Sequence, residues 1–324
     1  MARLNNHMKN NNAKYAFLYM FSLVALLFLA LGTGQVIFQA INKYITDLVS
    51  SYSSDFNSEA LKMAISALVI AIPIYYLVMR YLNKSLVKGE LDKESAIRRW
   101  LIYFILFVSS VVMIVWLIIT ISNFLNGELT TKFILKAVTA IAIAGIIFSY
   151  YFYDVKRDEI KAKDKVILIY FIATLVLTVG SLVGSFFFVE SPSETRARKY
   201  DEQILSQFTE LDSALNNYFT KYNKLPDTLA QGITEVPYLN LEKFKNPVTN
   251  KSYDYKKLDN DTYELCSDFQ TDNRATKDQG IYAYADRWPH DKGYQCLKQK
   301  ALNFDKQGTV PVGGIPADRV PITK

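Results

Sequence analysis

Apolar and polar positions fall into two regimes along the chain. Up to Val189, long apolar runs alternate with short polar connections; beyond it, apolar residues recur singly at helical or alternating spacing. A bilayer core about 30 Å thick needs roughly 20 apolar residues as a helix. Five stretches meet that need, at about 15–40, 62–82, 100–124, 133–153 and 166–189. The first contains FSLVALLFLALGTG. It exceeds a signal-peptide core of roughly 7–15 residues and reads as a retained span. Short connections make successive helices antiparallel neighbours. The pattern therefore predicts a membrane all-α bundle over 1–189.

The polar content of the spans is mild. Gln35 and Gln39 lie one turn apart on the first span, after Gly32, Thr33 and Gly34. Ser109, Ser110 and Thr120 lie on the third, and Gly180, Ser181, Gly184 and Ser185 form a small-residue face on the fifth. These mild polar residues suit ordinary helix packing within the bundle, a dimer seam or a polar cavity. Pro73 kinks or loosens the second span. Lys62 and Lys136 sit near span ends, where they reach the head groups. No Asp, Glu or His falls mid-span, so a proton relay, an intramembrane metal site or an aspartyl dyad has no residues to run on.

After Val189 the helical period changes character. Ile204, Phe208, Leu211, Leu215, Tyr218 and Tyr222 step by four and three, which draws one apolar stripe on a helix. Pro192 sits in its first turn or kinks a helix continuous with the fifth span. Pro226 ends it near Lys224. Three strand candidates follow, Ser252–Leu258, Thr262–Phe269 and Gly293–Lys298, with Asp259, Asn260 and Asp261 as turn residues between the first two. Tyr253, Tyr255, Tyr263, Leu265 and Phe269 alternate as a sheet laid on a helix requires. Residues 270–290 read as a long loop, and 304–324, rich in Gly and Pro, as a flexible tail.

Charge separates the same two parts. The 324 residues carry +6, with 18 Lys+Arg against 11 Asp+Glu up to residue 189 and 19 against 20 after it. The positive balance thus belongs to the apolar part, which argues for membrane loops and against a nucleic-acid partner. Lys and Arg number three in 1–14, one in 43–61, six in 80–99, one in 122–132 and five in 154–165. By the positive-inside rule the N-terminus is cytoplasmic, the protein is multi-pass in the cytoplasmic membrane, and residue 190 onward lies outside. Arg98 and Arg99, in a basic loop, read as an orientation signal or as contacts to anionic lipid.

The only cysteines, Cys266 and Cys296, both fall in the outer part, each in a strand candidate. A disulfide between them pins the last strand and the loop before it; two separate buried thiols are the alternative. A metal site is poorly supplied, because His290 is the one other His or Cys nearby.

A membrane helix, an amphipathic continuation, a proline-marked stop, a loop and a small antiparallel sheet with two late cysteines make a recognisable order. With NYFTKYNKLPDTL and FKNPVTNKSYDYKKLDNDTYELC, it resembles the type IV pilin and type II secretion pseudopilin fold over about 166–300. Asn246 stands where pseudopilins carry an Asp, and the fifth span lacks the Glu of a pilin helix. Residues 10–189 resemble a bacterial multi-span membrane domain of unknown function. The resemblance implies an α+β pilin-like extracytoplasmic domain over 190–303. Some pseudopilins bind calcium before the last strand, where this chain has Asp268, Asp272, Asp278, Asp286 and Asp291. Their spacing fits no EF-hand loop, and they read as solvated carboxylates.

No Gly-x-Ser-x-Gly, His-Glu-x-x-His, P-loop or Gly-x-Gly-x-x-Gly is present, so no catalytic residue and no cofactor is expected. Asn250 and Asn260 open glycosylation-type triplets to which no role is assigned. The leading expectation is a non-enzymatic envelope protein. Its partners are the lipid bilayer and a protein, such as a pilus or secretion component. Alternatives are a sensor subunit whose outer domain binds a ligand and, behind it, a small-molecule transporter lined by Gln35 and Gln39.

Overall fold

A computed structural model describes residues 2–45, 56–91, 95–157, 164–234, 236, 239–274 and 287–302, with backbone alone for 2–12. The chain divides into two compact units, Met1–Glu190 and Ser191–Lys324. The expected tail at 304–324, Asp278 and Asp286 lie outside the described residues.

The first unit has five helices: α1 (Ala2–Tyr44), α2 (Ser58–Val87), α3 (Ala96–Leu125), α4 (Thr131–Lys156) and α5 (Lys165–Ser185). All five are long and apolar enough to cross a membrane. Polar caps start three of them. Asn57 accepts from the Ala60 amide, Thr130 from that of Phe133, and Asp164 from those of Val166 and Ile167. α5 ends at Ser185, short of the expected 189, because residues 186–188 tighten into a turn. α2 runs unbroken through Pro73.

Packing follows the small residues. α1 lies against α2, α4 and α5, and α3 against α4. A Cβ on Gly32 would meet Leu68 Cγ at 3.0 Å and the Ala64 carbonyl oxygen at 3.3 Å, so α1 and α2 touch closely there. Gly34, two residues on, has only Ile143 Cδ1 at 3.7 Å. Gly180 and Gly184 of α5 face open space, so these two glycines of the fifth span do not pack within the bundle.

The second unit begins with α6 (Pro192–Tyr222). Ser191 and Glu194 form a reciprocal capping box, and Pro192 occupies the first turn, so α6 is a new helix and not a continuation of α5. Asn223 ends it in the left-handed region (φ 53°). A short helix α7 (Leu229–Ile233) and a 3₁₀ turn at Leu241–Lys243 follow. The sheet then forms as β1 (Asp254–Lys257), β2 (Thr262–Phe269) and β3 (Gly293–Lys300), antiparallel in the order β1-β2-β3. β1 is shorter than expected at its start because Ser252 pairs with Lys245 instead. β3 runs two residues past the expected Lys298 because Gln299 and Lys300 still pair, with Tyr263 and Thr262.

Ile204, Leu205, Phe208, Leu211 and Leu215 of α6 pack on Tyr253, Tyr263, Leu265, Phe269 and Leu297, with Trp288 from the following loop. Phe208 is central, edge-on to Tyr253 at 5.0 Å and to Trp288 at 5.5 Å. Leu215 is the last member of the expected stripe in this core; Phe219 takes the next place, while Tyr218 and the exposed Tyr222 pack on each other at 4.6 Å.

Candidate functional site

Two features of the first unit concentrate polar chemistry inside an apolar bundle. The first is an ionic network where α3 and α5 begin and α4 ends. Arg98 of α3 donates through Nη2 to Asp154 Oδ2 of α4 at 2.6 Å, and Arg157 Nη2 lies 2.7 Å from Asp154 Oδ1. Arg157 Nη1 is 3.9 Å from Asp164 Oδ2, and the Tyr153 hydroxyl donates to the same carboxylate at 3.1 Å. Both guanidiniums are buried, so Asp154 is the hub that compensates them. This overturns the reading of Arg98 as a lipid contact or loop charge; its neighbour Arg99 is exposed.

The second is an aromatic cavity of about 80 Å³ between α1, α2, α4 and α5. Tyr75, Tyr76, Tyr150, Tyr151 and Tyr170 line it with Phe171. The rings lock edge to face, at 5.3 Å for Tyr75–Tyr76, 4.9 Å for Tyr150–Tyr151 and 5.7 Å for Tyr150–Tyr170. The Tyr75 and Tyr151 hydroxyls are 3.4 Å apart, and Tyr76 Oη lies 3.5 Å from Thr178 Oγ1. A second cavity of about 30 Å³ reaches Asp154 and Arg157 and shares Met79, Tyr150 and Tyr151 with the first. The pair of cavities has room for a few waters or a small uncharged molecule with hydrogen-bond acceptors.

The predicted polar residues of the spans separate. Gln39 is buried, accepts from the Asn57 amide at 2.7 Å and ties α1 to the cap of α2; it lines none of the described cavities. Gln35 is exposed on a groove between α1, α3 and α4. Ser109, Ser110 and Thr120 each bond back to their own helix. Lys62 reaches Glu190 at 3.5 Å.

In the second unit, Cys266 and Cys296 occupy opposed positions of β2 and β3, with their sulfurs 2.14 Å apart, a bonding distance. Glu264 is beside them, but bonded sulfurs leave no ligand set for a metal there. The acidic loop residues that are described do local work. Asp272 accepts from the Arg274 amide at 2.7 Å, and Asp291 pairs with Arg274 at 3.4 Å. Asn246 is buried and uses both ends of its amide. Its oxygen accepts from Val248 and Thr249, and its nitrogen donates to Ser267 Oγ at 3.0 Å and to the Asp268 carbonyl at 2.9 Å.

Three buried polar residues of α6 fasten the segments around the sheet. Asp201 accepts from the Gln270 and Thr271 amides at 2.8 and 2.7 Å. Asp212 accepts from Tyr263 at 2.5 Å and pairs with Arg287. Burial holds the Tyr263 phenol well above its ordinary value, so it remains a donor. Asn216 accepts from the Leu302 amide at 2.8 Å. His290, fully buried, stacks on Phe269 at 4.0 Å, and burial pushes its imidazole below the ordinary value. A groove of about 570 Å³ runs between α6 and the 239–244 segment, with Glu210, Ser213 and Asn217 on one wall and Leu239 and Lys243 on the other.

A family model described as a domain of unknown function, DUF5671, matches residues 15–151. The match begins at Tyr15 and ends at Tyr151, so it holds all five cavity tyrosines but Tyr170 and stops three residues before Asp154. No curated protein and no solved structure matches the chain.

Proposed function

We propose that this chain is a non-enzymatic, multi-pass protein of the cytoplasmic membrane that presents its second unit outside the cell as a protein-binding head. The observation that carries this reading is the head itself. It is a separate compact unit with its own aromatic core, and its two cysteines stand at bonding distance across neighbouring strands. Disulfides persist in oxidising compartments, which agrees with the outer placement given by the loop charges. The order of a long capped helix followed by a three-stranded antiparallel sheet supports a pilin-like head, and with it a partner in a pilus or secretion assembly. The mixed polar and apolar groove along α6 is the concave surface of the head suited to such a partner.

The test is labelling of intact cells with a membrane-impermeant maleimide, before and after reduction. Labelling of Cys266 and Cys296 only after reduction is expected. Labelling that needs permeabilised cells and no reductant would place the head in the cytoplasm and end the envelope reading. A photo-crosslinking residue at Ser213, in the groove wall, should then capture a discrete envelope protein in cells. One placed at the exposed Lys256 of β1 should not.

A further inference from the structure

The groove between α1, α3 and α4 measures about 540 Å³ and is almost wholly apolar. Small residues form its floor, Ala30 and Gly34 on α1 and Ala140 and Ala144 on α4, while Leu27 and Leu31 stand exposed along its rim. One end differs. There Phe38 meets Trp116 edge-on at 5.8 Å, bridging α1 and α3. Just beneath that bridge lies Gln35. Neither the Gln35 amide nor the Trp116 indole N–H makes a side-chain hydrogen bond among the described residues.

The depth of Gln35 makes this informative. Gly32 of α1 touches Ala64 of the antiparallel α2, which sets Gln35, one turn nearer the Tyr44 end, about level with Lys62, the charged residue at the head of the apolar stretch of α2. The amide therefore sits where hydrocarbon gives way to the ester zone of the lipid. Unpaired amides are costly at this depth, and an ester carbonyl is the acceptor native to it. From Gln35 back to Leu23, the far end of the groove, is twelve residues, about 18 Å of helix. One leaflet of hydrocarbon is about 15 Å deep. Groove length, apolar lining and terminal donors thus match one ester-linked chain.

We infer that this groove is a binding site for a single glycerolipid of the leaflet on the Tyr44 side. One acyl chain lies along Ala30, Gly34 and Ala140, and its ester carbonyls accept from Gln35 Nε2 and Trp116 Nε1. This site is independent of the head and of its partner.

The test uses the full chain, purified in mild detergent, loaded with palmitoyl-oleoyl phosphatidylglycerol and read by native mass spectrometry. The wild type should keep one lipid per chain after washing. Gly34→Phe and Ala140→Phe fill the groove from two different helices and should each lose that lipid. Gln35→Leu should retain it at reduced occupancy. Gly180→Phe, on an open face of α5, should retain it fully. Helical content by circular dichroism identifies any variant that fails to fold, and two filling variants keep the result readable. Retention of the lipid by folded Gly34→Phe or Ala140→Phe overturns the site, as does a wild type that holds none. A wild-type two-copy complex that Gly34→Phe separates would make the groove a seam between chains instead.

Discussion

Asp154 is the residue on which the first unit should depend most, and the dependence can be worked from its partners. It stands 2.6 Å from Arg98 and 2.7 Å from Arg157, and both guanidiniums are at most 6% exposed. Asp154→Asn keeps the shape and removes the one charge that both share. Breaking a buried pair by removing one partner costs about 3–5 kcal/mol, because the other charge is left uncompensated. Arg98→Met should cost less, about 1.5–3 kcal/mol for a hydrogen bond to a charged group, since Asp154 keeps Arg157. The double variant Arg98→Met/Asp154→Leu should be more stable than Asp154→Asn alone, because it removes a charge along with its compensation and Arg157 retains Asp164 at 3.9 Å. Unfolding of the full chain in mixed micelles with rising dodecyl sulfate, followed by tryptophan fluorescence, measures all three. A loss below about 0.5 kcal/mol for Asp154→Asn, the level of an ordinary surface change, would refute the hub. So would losses in the double variant that simply add.

Three further outcomes are specific. Gly32→Leu should cost at least about 1–3 kcal/mol by overpacking α1 on α2, whereas Gly34→Leu should unfold near the wild-type midpoint in the same micelle assay. Asn246→Asp, which restores the residue of the pseudopilin pattern, should destabilise the head by about 1–3 kcal/mol in thermal unfolding, because a carboxylate cannot donate to Ser267 and Asp268. His290 is held neutral by burial, so the folded head refuses a proton that the unfolded chain accepts. Its contribution is therefore complete above the ordinary value of 6.5 and is lost as pH falls below it toward the folded value. Melts of wild type and His290→Phe between pH 8 and 5 should differ in slope below pH 6.5, and parallel curves would remove the effect.

Much of the architecture was legible because it rests on strong periods. Five apolar runs each long enough for a bilayer leave few alternatives, and β2 occupies the same Thr262–Phe269 that alternation and flanking turn residues mark. Element ends were less legible because they depend on particular partners. β1 starts late since Ser252 finds Lys245, and α5 stops early at a turn that its apolar residues do not announce. The aromatic cavity was hidden for a different reason. Tyr75, Tyr76, Tyr150 and Tyr151 read as ordinary span residues, and only the packing of α2 on α5 and of α1 on α2, α4 and α5 brings them into one lining.

The buried polar residues were overlooked although their positions carried a signal, and the physical reason is phase. On α3, Arg98 keeps helical spacing with Leu101, Ile102, Ile105 and Ser109, all buried, while Arg99 falls off that face. On α4, Asp154 continues the row of Ala137, Ala144 and Tyr151. On α6, Asp201, Asp212 and Asn216 share a row with Leu205 and Phe219, one flank of the apolar stripe. A charge in phase with a buried face either reaches solvent along its own stem or finds a partner on another element. Arg is long enough to do the first, so its phase alone left the outcome open. Asp is too short, so an in-phase Asp announces a partner that sequence cannot name. In this protein those partners are Arg98 and Arg157 for Asp154, the Gln270 and Thr271 amides for Asp201, and Tyr263 with Arg287 for Asp212. All but Arg157, three residues from Asp154, lie on helices or loops distant in sequence, so these short acidic residues help to fix how the segments of each unit register on one another.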